Sequence, residues 1–359
     1  MDEYNIWLSY AMGSNCANAQ QIISLGFSPK EIYENRKRLI DYDVFTKKQM
    51  EKALSTKLET ALVISQKHRE RGIISINYTD ETYPTRFVGV SKAPLVLYCK
   101  GDISLLQSEK TVGSIGTRHP DRDGEAICQG IVRPLAQSGV VIVSGLAQGL
   151  DGASHRACLA VGGKTVAFVG VPLDRCYPAD NRGLQEEIFA KGLVVSEYPM
   201  DWYFRSPFFL ERNRLIAALS DVISIVQAKA HSGTLATAKI AMELNKPVFV
   251  APGRVMDEIY EGTNLLLSRG EARVVINSKD ILNELKIKET KTTVAKAETS
   301  KLSQSEQKIY GCFKGGAMST AQLIEESGFS SAELKRTLTL LEMEGLIKMQ
   351  SLGVYKKVK

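Results

Sequence analysis

Between residues 95 and 277 the chain alternates short, nearly continuous apolar runs with stretches of helical spacing. The runs are LVLYC (95–99), TVGSIG (111–116), VVIVSG (140–145), TVAFVG (165–170), LVVSEY (193–198), DVISIV (221–226), PVFVAPG (247–253) and RVVIN (273–277). A run with no polar face must be covered on both sides, and the helices between the runs supply that cover. The pattern predicts an α/β fold built on a doubly wound parallel sheet. Ligands of such sheets bind outside the carboxyl ends of the strands, so the loops leaving each run are where function is expected.

The flanks read differently. Residues 1–79 predict a small helical domain: Ser28-Pro29 opens one helix, and the stretch from Thr46 to Arg71 has apolar residues at helical spacing with no breaker. Residues 280–301 include KIKETKTTVAKAETSK, which lacks the large apolar side chains a fold needs, and predict a flexible linker. From 302 to 359 three helical segments are followed by a hairpin pattern around Ser351 to Gly353. Ser330 and Glu333 of the third segment stand in capping-box spacing, and Gly345 is its expected end. Three helices and a hairpin predict a winged-helix domain.

Composition narrows the classes. Hydrophobic residues make up 44% of the 359 positions and charged residues 24%, an ordinary globular balance. No apolar run approaches the roughly 20 residues of a membrane span, and the acidic start MDEY does not resemble a signal peptide, so a soluble cytoplasmic protein is expected. The six cysteines form no C-x-x-C pair and the four histidines show no ligand spacing, so no metal site and no disulfide framework is expected. The net charge of +6 is spread along the chain, so any contact with nucleic acid must come from a cluster assembled by the fold.

The loops offer such clusters. Ile115-Gly116-Thr117-Arg118 leaves a strand and leads into a helix, where an arginine can grip a phosphate with two hydrogen bonds. SGLAQGLDGASH (144–155) repeats the arrangement with Gly145 and Gly149, but its spacing is not the dinucleotide fingerprint, and no nucleotide cofactor is expected. Asp151 and His155, four apart, could form an acid/base pair or a helix-stabilising pair. GGKT (162–165) runs from helix into strand, which places Lys164 on the wrong edge for a phosphate loop. Tyr177 to Arg182 gives a basic tip with an aromatic neighbour. If the next helix begins near Asn213, both Arg212 and Arg214 could reach the crevice; if it runs from Pro207, Arg212 is a core arginine paired with a carboxylate. Ser232 is a natural N-cap, leaving the N–H groups of Gly233 and Thr234 for an anion. Several anion-ready strand ends with interleaved aromatics favour a polyanion lying across the crevice.

IGTR (115–118), SGLAQGLDGASH (144–155), GGKTVAFVG followed by LD and YP (162–178), SEYP (196–199), RNRLIAALS (212–220), SGTLATA (232–238) and PG (252–253) together resemble the DprA/Smf family in order and spacing. The resemblance covers about residues 80–278, and the two flanking domains are similar to the family's three-part form. It implies a Rossmann-like domain over residues 80–279 and a non-enzymatic protein that binds single-stranded DNA, protects incoming strands in natural transformation and helps load the recombinase RecA. By the matching motifs it assigns Arg118, Ser144, Gly145, Asn181, Arg212, Asn213, Ser232 and Gly233 to the DNA site, and Gln148, Gly149, Arg182, Arg214 and Thr234 of the same segments are expected beside them. Some relatives carry a basic residue directly after Tyr-Pro; here it is Ala179, for which Arg175 or Arg182 could substitute. The family also forms dimers, which points to EGTNLLLSRG (261–270), with Asn264, Leu266 and Leu267 at the interface unless the leucines are core.

Two other classes remain open. A phosphoribohydrolase uses a similar sheet, but its P-G-G-x-G-T loop is missing. A duplex-binding regulator could act through the C-terminal domain, although its third helix carries only Lys335 and Arg336, and a protein partner fits that helix equally well.

Overall fold

The computed structural model describes residues 2–13, 16–38, 45–203, 205–287, 303–313, 316–343, 346–351 and 353–357. The chain divides into two compact units, residues 1–290 and 291–359.

The first unit is built on a nine-stranded sheet in the order β1-β2-β6-β5-β4-β3-β7-β8-β9. The strands are β1 (Ile74–Asn77), β2 (Val96–Gly101), β3 (Thr111–Ile115), β4 (Val141–Ser144), β5 (Thr165–Val169), β6 (Leu193–Ser196), β7 (Val222–Ile225), β8 (Val248–Val250) and β9 (Arg273–Val274). From β6 to β9 every pairing is parallel. The run LVLYC departs from the expected parallel order: as β2 it pairs antiparallel with both β6 and β1.

Burial on both faces is visible residue by residue. Val143, Val166, Phe168 and Leu193 belong to one core with Leu215, Ile216, Ala238 and Ala241 of helices α9 (Pro207–Leu219) and α10 (Gly233–Glu243). The alternating Val112, Ile142 and Val222 join the opposite core with α6 (Arg122–Gln137), α7 (Leu150–Leu159) and α12 (Ser278–Glu284). On the sheet, period-2 side chains thus feed two cores at once. Helices α8 (Arg182–Lys191) and α11 (Glu258–Ser268) complete the unit.

Among the described residues five helices precede the sheet: α1 (Asp2–Met12), α2 (Ala17–Ser24), α3 (Pro29–Glu34), α4 (Lys47–Ser55) and α5 (Leu58–Glu70). Ser28 caps α3 in a capping box with Glu31, and the expected single stretch from Thr46 breaks at Thr56 into α4 and α5. Their apolar faces share a continuous core with Leu95, Val96, Tyr98, Ala167 and Val194 of the sheet. Residues on both sides of the expected boundary after residue 79 thus fall in one compact unit, and β1, just past the stretch read as helical, is an edge strand. Of the expected linker, residues 280–284 continue α12; residues 288–301 lie outside the described residues.

The second unit holds α13 (Gln304–Cys312), α14 (Thr320–Ser327) and α15 (Ser331–Met343) around Ile309, Leu323, Leu334, Leu338 and Leu341. A three-stranded sheet, β10 (Met318–Ser319), β12 (Val354–Lys357) and β11 (Ile347–Ser351), supplies the wing. The Ser330–Glu333 capping box opens α15 as its spacing predicts. Its expected end at Gly345 lies outside the described residues. Among the described residues no helix is long and apolar enough to cross a membrane.

Candidate functional site

The strand order reverses direction at β3, whose neighbours are β4 and β7, and an open cleft of about 710 Å³ lies at their carboxyl ends. This is the topological switch point, where the loops diverge and leave a crevice. Arg118 and His119 enter from the loop after β3, Ala147 and Asp151 from the segment after β4, and Lys229 to Thr234 from the segment after β7. Phe209, Leu210, Arg212 and Asn213 of α9 complete the lining.

The Arg118 loop is held at three points. The Thr117 N–H donates to the Gln227 carbonyl at 2.9 Å, the Thr234 hydroxyl to the Gly116 carbonyl at 3.1 Å, and the Leu150 N–H to the Thr117 carbonyl at 3.1 Å. Gly149 sits at φ +79°, and a Cβ there would meet the Thr117 oxygen at 2.4 Å, so only glycine lets the two loops approach. Arg118 itself is exposed; it makes no ion pair among the described residues, and its guanidinium lies 5.9 Å from the Phe209 ring centroid. Phe209 in turn packs against Tyr177 with centroids 5.0 Å apart, and Tyr177 is 49% exposed. A smaller recess between Arg118, Gln148, Tyr177 and Phe209 adjoins the cleft.

The loop after β4 is organised differently from its sequence expectation. The Gly145 N–H does not await an external anion: it donates to the Asp151 carboxylate at 3.1 Å, while the Gly145 carbonyl accepts from Arg212 Nη1 at 2.6 Å. Arg212 also donates to the Phe168 carbonyl. Asp151 and Arg212 thus hold Gly145 through its N–H and its carbonyl, and both line the cleft. Burial outweighs their mutual attraction: it raises the Asp151 carboxyl pKa and lowers that of Arg212 to about 10. Asp151 forms no pair with His155, whose Nδ1 is bound to the Thr165 hydroxyl at 2.7 Å. Asn181 is buried and its amide donates to the carbonyls of Leu146 at 3.0 Å and Ala147 at 3.2 Å, fixing Leu146 at φ +56°. Ser144 is buried as well, donating to the Ser114 carbonyl.

Because α9 starts at Pro207, Arg212 and Arg214 fall on opposite sides of it. Arg214 is a correction to the expected DNA site. It is buried in a two-pronged pair with Glu197, at 2.9 and 2.7 Å, and binds the Lys92 carbonyl at 2.6 Å. The pairing and its hydrogen bonds raise the Arg214 pKa against the cost of burial. Asn213 stays on the cleft side, its oxygen accepting from Arg212 Nε.

After β7, Ser232 occupies the N-cap position of α10, but its hydroxyl makes no capping bond and is buried without a partner. The N–H groups of Gly233 and Thr234 stand in the first turn, before intrahelical partners exist. Arg182 and Arg175 are exposed, whereas Lys164 lies at the amino end of β5, donating to the Lys191 carbonyl. The structure therefore brings Arg118, Arg212, Asn213, Ser232, Gly233 and Thr234 to the cleft and Gly145 and Gln148 to the adjoining recess, sets Gly149 against the Arg118 loop, and buries Ser144 and Asn181. Phe209, Leu210 and Lys229 are lining residues that the motif reading missed, and Asp151 was read only as a partner of His155; for Lys229 the strand-end position in QAKAHSGT was the available signal. The leucines expected at a dimer face are mostly core: Leu266 is buried, Leu267 packs on the same cluster, and Asn264 exchanges hydrogen bonds with the Gly253 backbone.

The family described as DNA recombination-mediator protein A matches residues 75–286, more than half of the 359. The chain belongs to that family. Its second unit matches the family's winged-helix domain over residues 293–351. DNA processing protein DprA of Bacillus subtilis is 34% identical over 218 residues, 61% of this chain and 73% of that protein. That of Streptococcus pneumoniae is 37% identical over 215 residues, 58% and 73% respectively. The solved structure of the pneumococcal protein superposes with a TM-score of 0.70 at 29% identity, covering 79% of this chain and 98% of that one. DNA processing protein A of Helicobacter pylori, described for its single-stranded DNA binding mode, gives 0.54 at 36% identity over 59% and 95%. Membership gives the chain a role in DNA processing and recombination, on a Rossmann-like sheet with a winged helix.

Proposed function

We propose that the cleft at the β3/β7 switch point binds single-stranded DNA without cutting it, and that the bound protein protects the strand and helps load RecA in natural transformation. The observation that carries this reading is Arg118: an exposed cation with no carboxylate partner among the described residues, on a loop held at three points and lining the same cleft as Gly233 and Thr234. Phosphates are held by Arg118, Arg182 and these N–H groups, with Lys229 beside them; Asn213, Ser232, Gln148 and Gly149 complete the wall. Tyr177 and Phe209 offer faces on which bases stack without being read. Ser144, Gly145, Asn181 and Arg212 act as positioning residues. The relatives' DNA-processing names and the single-strand binding described for the Helicobacter protein support the same reading.

A titration of labelled oligo-dT by fluorescence anisotropy tests it. Arg118→Ala is expected to weaken binding by about 1.5–3 kcal/mol, the contribution of hydrogen bonds to a charged group. It is also expected to lower the dependence of log K on log salt by about 0.7, one phosphate's share on a single strand. Unchanged affinity and slope defeat the site. Loading is tested by adding the protein to RecA on strands coated with single-strand-binding protein, where a shorter lag in ATP hydrolysis is expected. We place the protein in the cytoplasm, as a homodimer. The β9 edge, with Val274 and Ile276 exposed, supports pairing between copies at that end rather than through Leu266; sedimentation equilibrium checks the dimer.

A further inference from the structure

We propose that the strand's path extends beyond the cleft onto a second patch, formed by Lys48, Lys52, Tyr203 and Arg205, which takes further phosphodiester groups and one stacked base. The inference rests on the strand-binding reading above. Arg205 directly precedes Ser206 and Pro207, which line the cleft, so the patch continues its rim toward α4. Tyr203 is 46% exposed, yet its ring is steadied by stacking on buried Trp202, with centroids 5.2 Å apart and planes at 20°. Arg205 lies 4.7 Å from the Tyr203 centroid, and the Lys52 ammonium lies 5.0 Å from that of Trp202 and 5.9 Å from that of Tyr203.

The cations of this patch converge without an ion pair among the described residues. Some exposed lysines are matched, Lys67 with Asp201, Lys191 with Glu187 and Lys229 with Glu258. Among the described residues Lys48, Lys52 and Arg205 have no such ion pair, and Asp201, the nearby carboxylate, is held by Lys67. The Lys52 pKa is lowered, first by burial and then by the like charges of Lys48 and Arg205. Converging cations repel unless an anion joins them. An aromatic face beside them suits a nucleotide, since a bare phosphate makes no use of a ring.

Full-length protein is titrated with oligo-dT of about 6 and about 20 nucleotides, lengths that bracket the usual footprint of one strand-binding fold. The Lys48→Ala/Lys52→Ala/Arg205→Ala variant is expected to bind the short oligomer like the wild type and the long one about tenfold more weakly. Its salt slope on the long oligomer is expected to fall by about 2, three phosphates at 0.7 each. Tyr203→Ala is expected to lose about tenfold on the long oligomer only, and Tyr203→Phe to restore it, which separates stacking from lost packing. Lys48→Ala alone, on an exposed side chain, gives a slope change of about 0.7 even where the Lys52 substitution disturbs Trp202. Equal long-oligomer affinity and slope in wild type and variants overturns the extension, as does equal loss on both lengths. A wild type that binds neither oligomer overturns the strand-binding reading itself.

Discussion

At Gly149 a single missing methyl group sets the geometry of the cleft. With φ at +79° and a virtual Cβ 2.4 Å from the Thr117 oxygen, Gly149→Ala must both strain its own backbone and push away the Arg118 loop. A cost of about 1–3 kcal/mol in urea unfolding is expected, with a parallel loss of oligo-dT affinity. Arg214 makes the opposite case, a motif cation whose work is internal. Arg214→Met strands the buried Glu197 carboxylate, which is expected to destabilise the protein by about 3–5 kcal/mol, and adding Glu197→Gln is expected to recover much of that loss. Urea unfolding of the single and double variants measures both; a folded double variant that still binds oligo-dT at wild-type strength agrees with Arg214 lying off the cleft.

At the scale of elements, what was legible in the sequence was whatever local pattern decides. The parallel strands from β3 to β8 were visible because burial on both faces leaves VVIVSG and TVAFVG nearly continuous in apolar residues, with only Ser144 and Thr165 polar, and the loops after them fell where a doubly wound sheet requires. Ile74 to Asn77 was not legible: ISIN is short, and it becomes a strand only because β2 offers an antiparallel edge. The same limit applies within the site. Spacing placed Gly145 and Arg212 beside the crevice, but that Gly145 is held by Arg212 and Asp151 instead of by a ligand depends in part on a contact 67 residues apart. Nor does periodicity reveal that α1 to α5 belong to the sheet's core rather than to a domain of their own. Their removal has a sharp consequence: without residues 1–72, Leu95, Val96 and Tyr98 lose their cover. The truncated protein is expected to bind the dye ANS strongly and to lose cooperative melting, whereas a separable domain would leave both unchanged.

For the molecule as a whole, part of the acid sensitivity follows from two histidines buried without an ion pair among the described residues. His68 accepts the Met200 N–H at Nε2 and thereby ties α5 to the segment leading from β6 into α9; His155 fixes α7 against β5 through Thr165. Burial lowers their pKa values, to about 4 for His68 and about 3 for His155, from an ordinary 6.5. The folded state therefore favours the neutral rings. Their contribution is complete above pH 6.5 and is lost as the pH falls, because the unfolded chain takes up protons that the folded chain refuses. Between pH 7.5 and 5 each histidine accounts for about 2 kcal/mol, at 1.36 kcal/mol for each unit below 6.5. Asp151, with its raised pKa, acts in the opposite direction, so the histidines are best read as differences between variants. Urea unfolding of wild type and His68→Gln at the two pH values is expected to show the variant losing about 2 kcal/mol less on acidification. Equal losses would mean that His68 opens to water before it titrates, and that the contact between the helical layer and the β6–α9 segment yields ahead of the sheet.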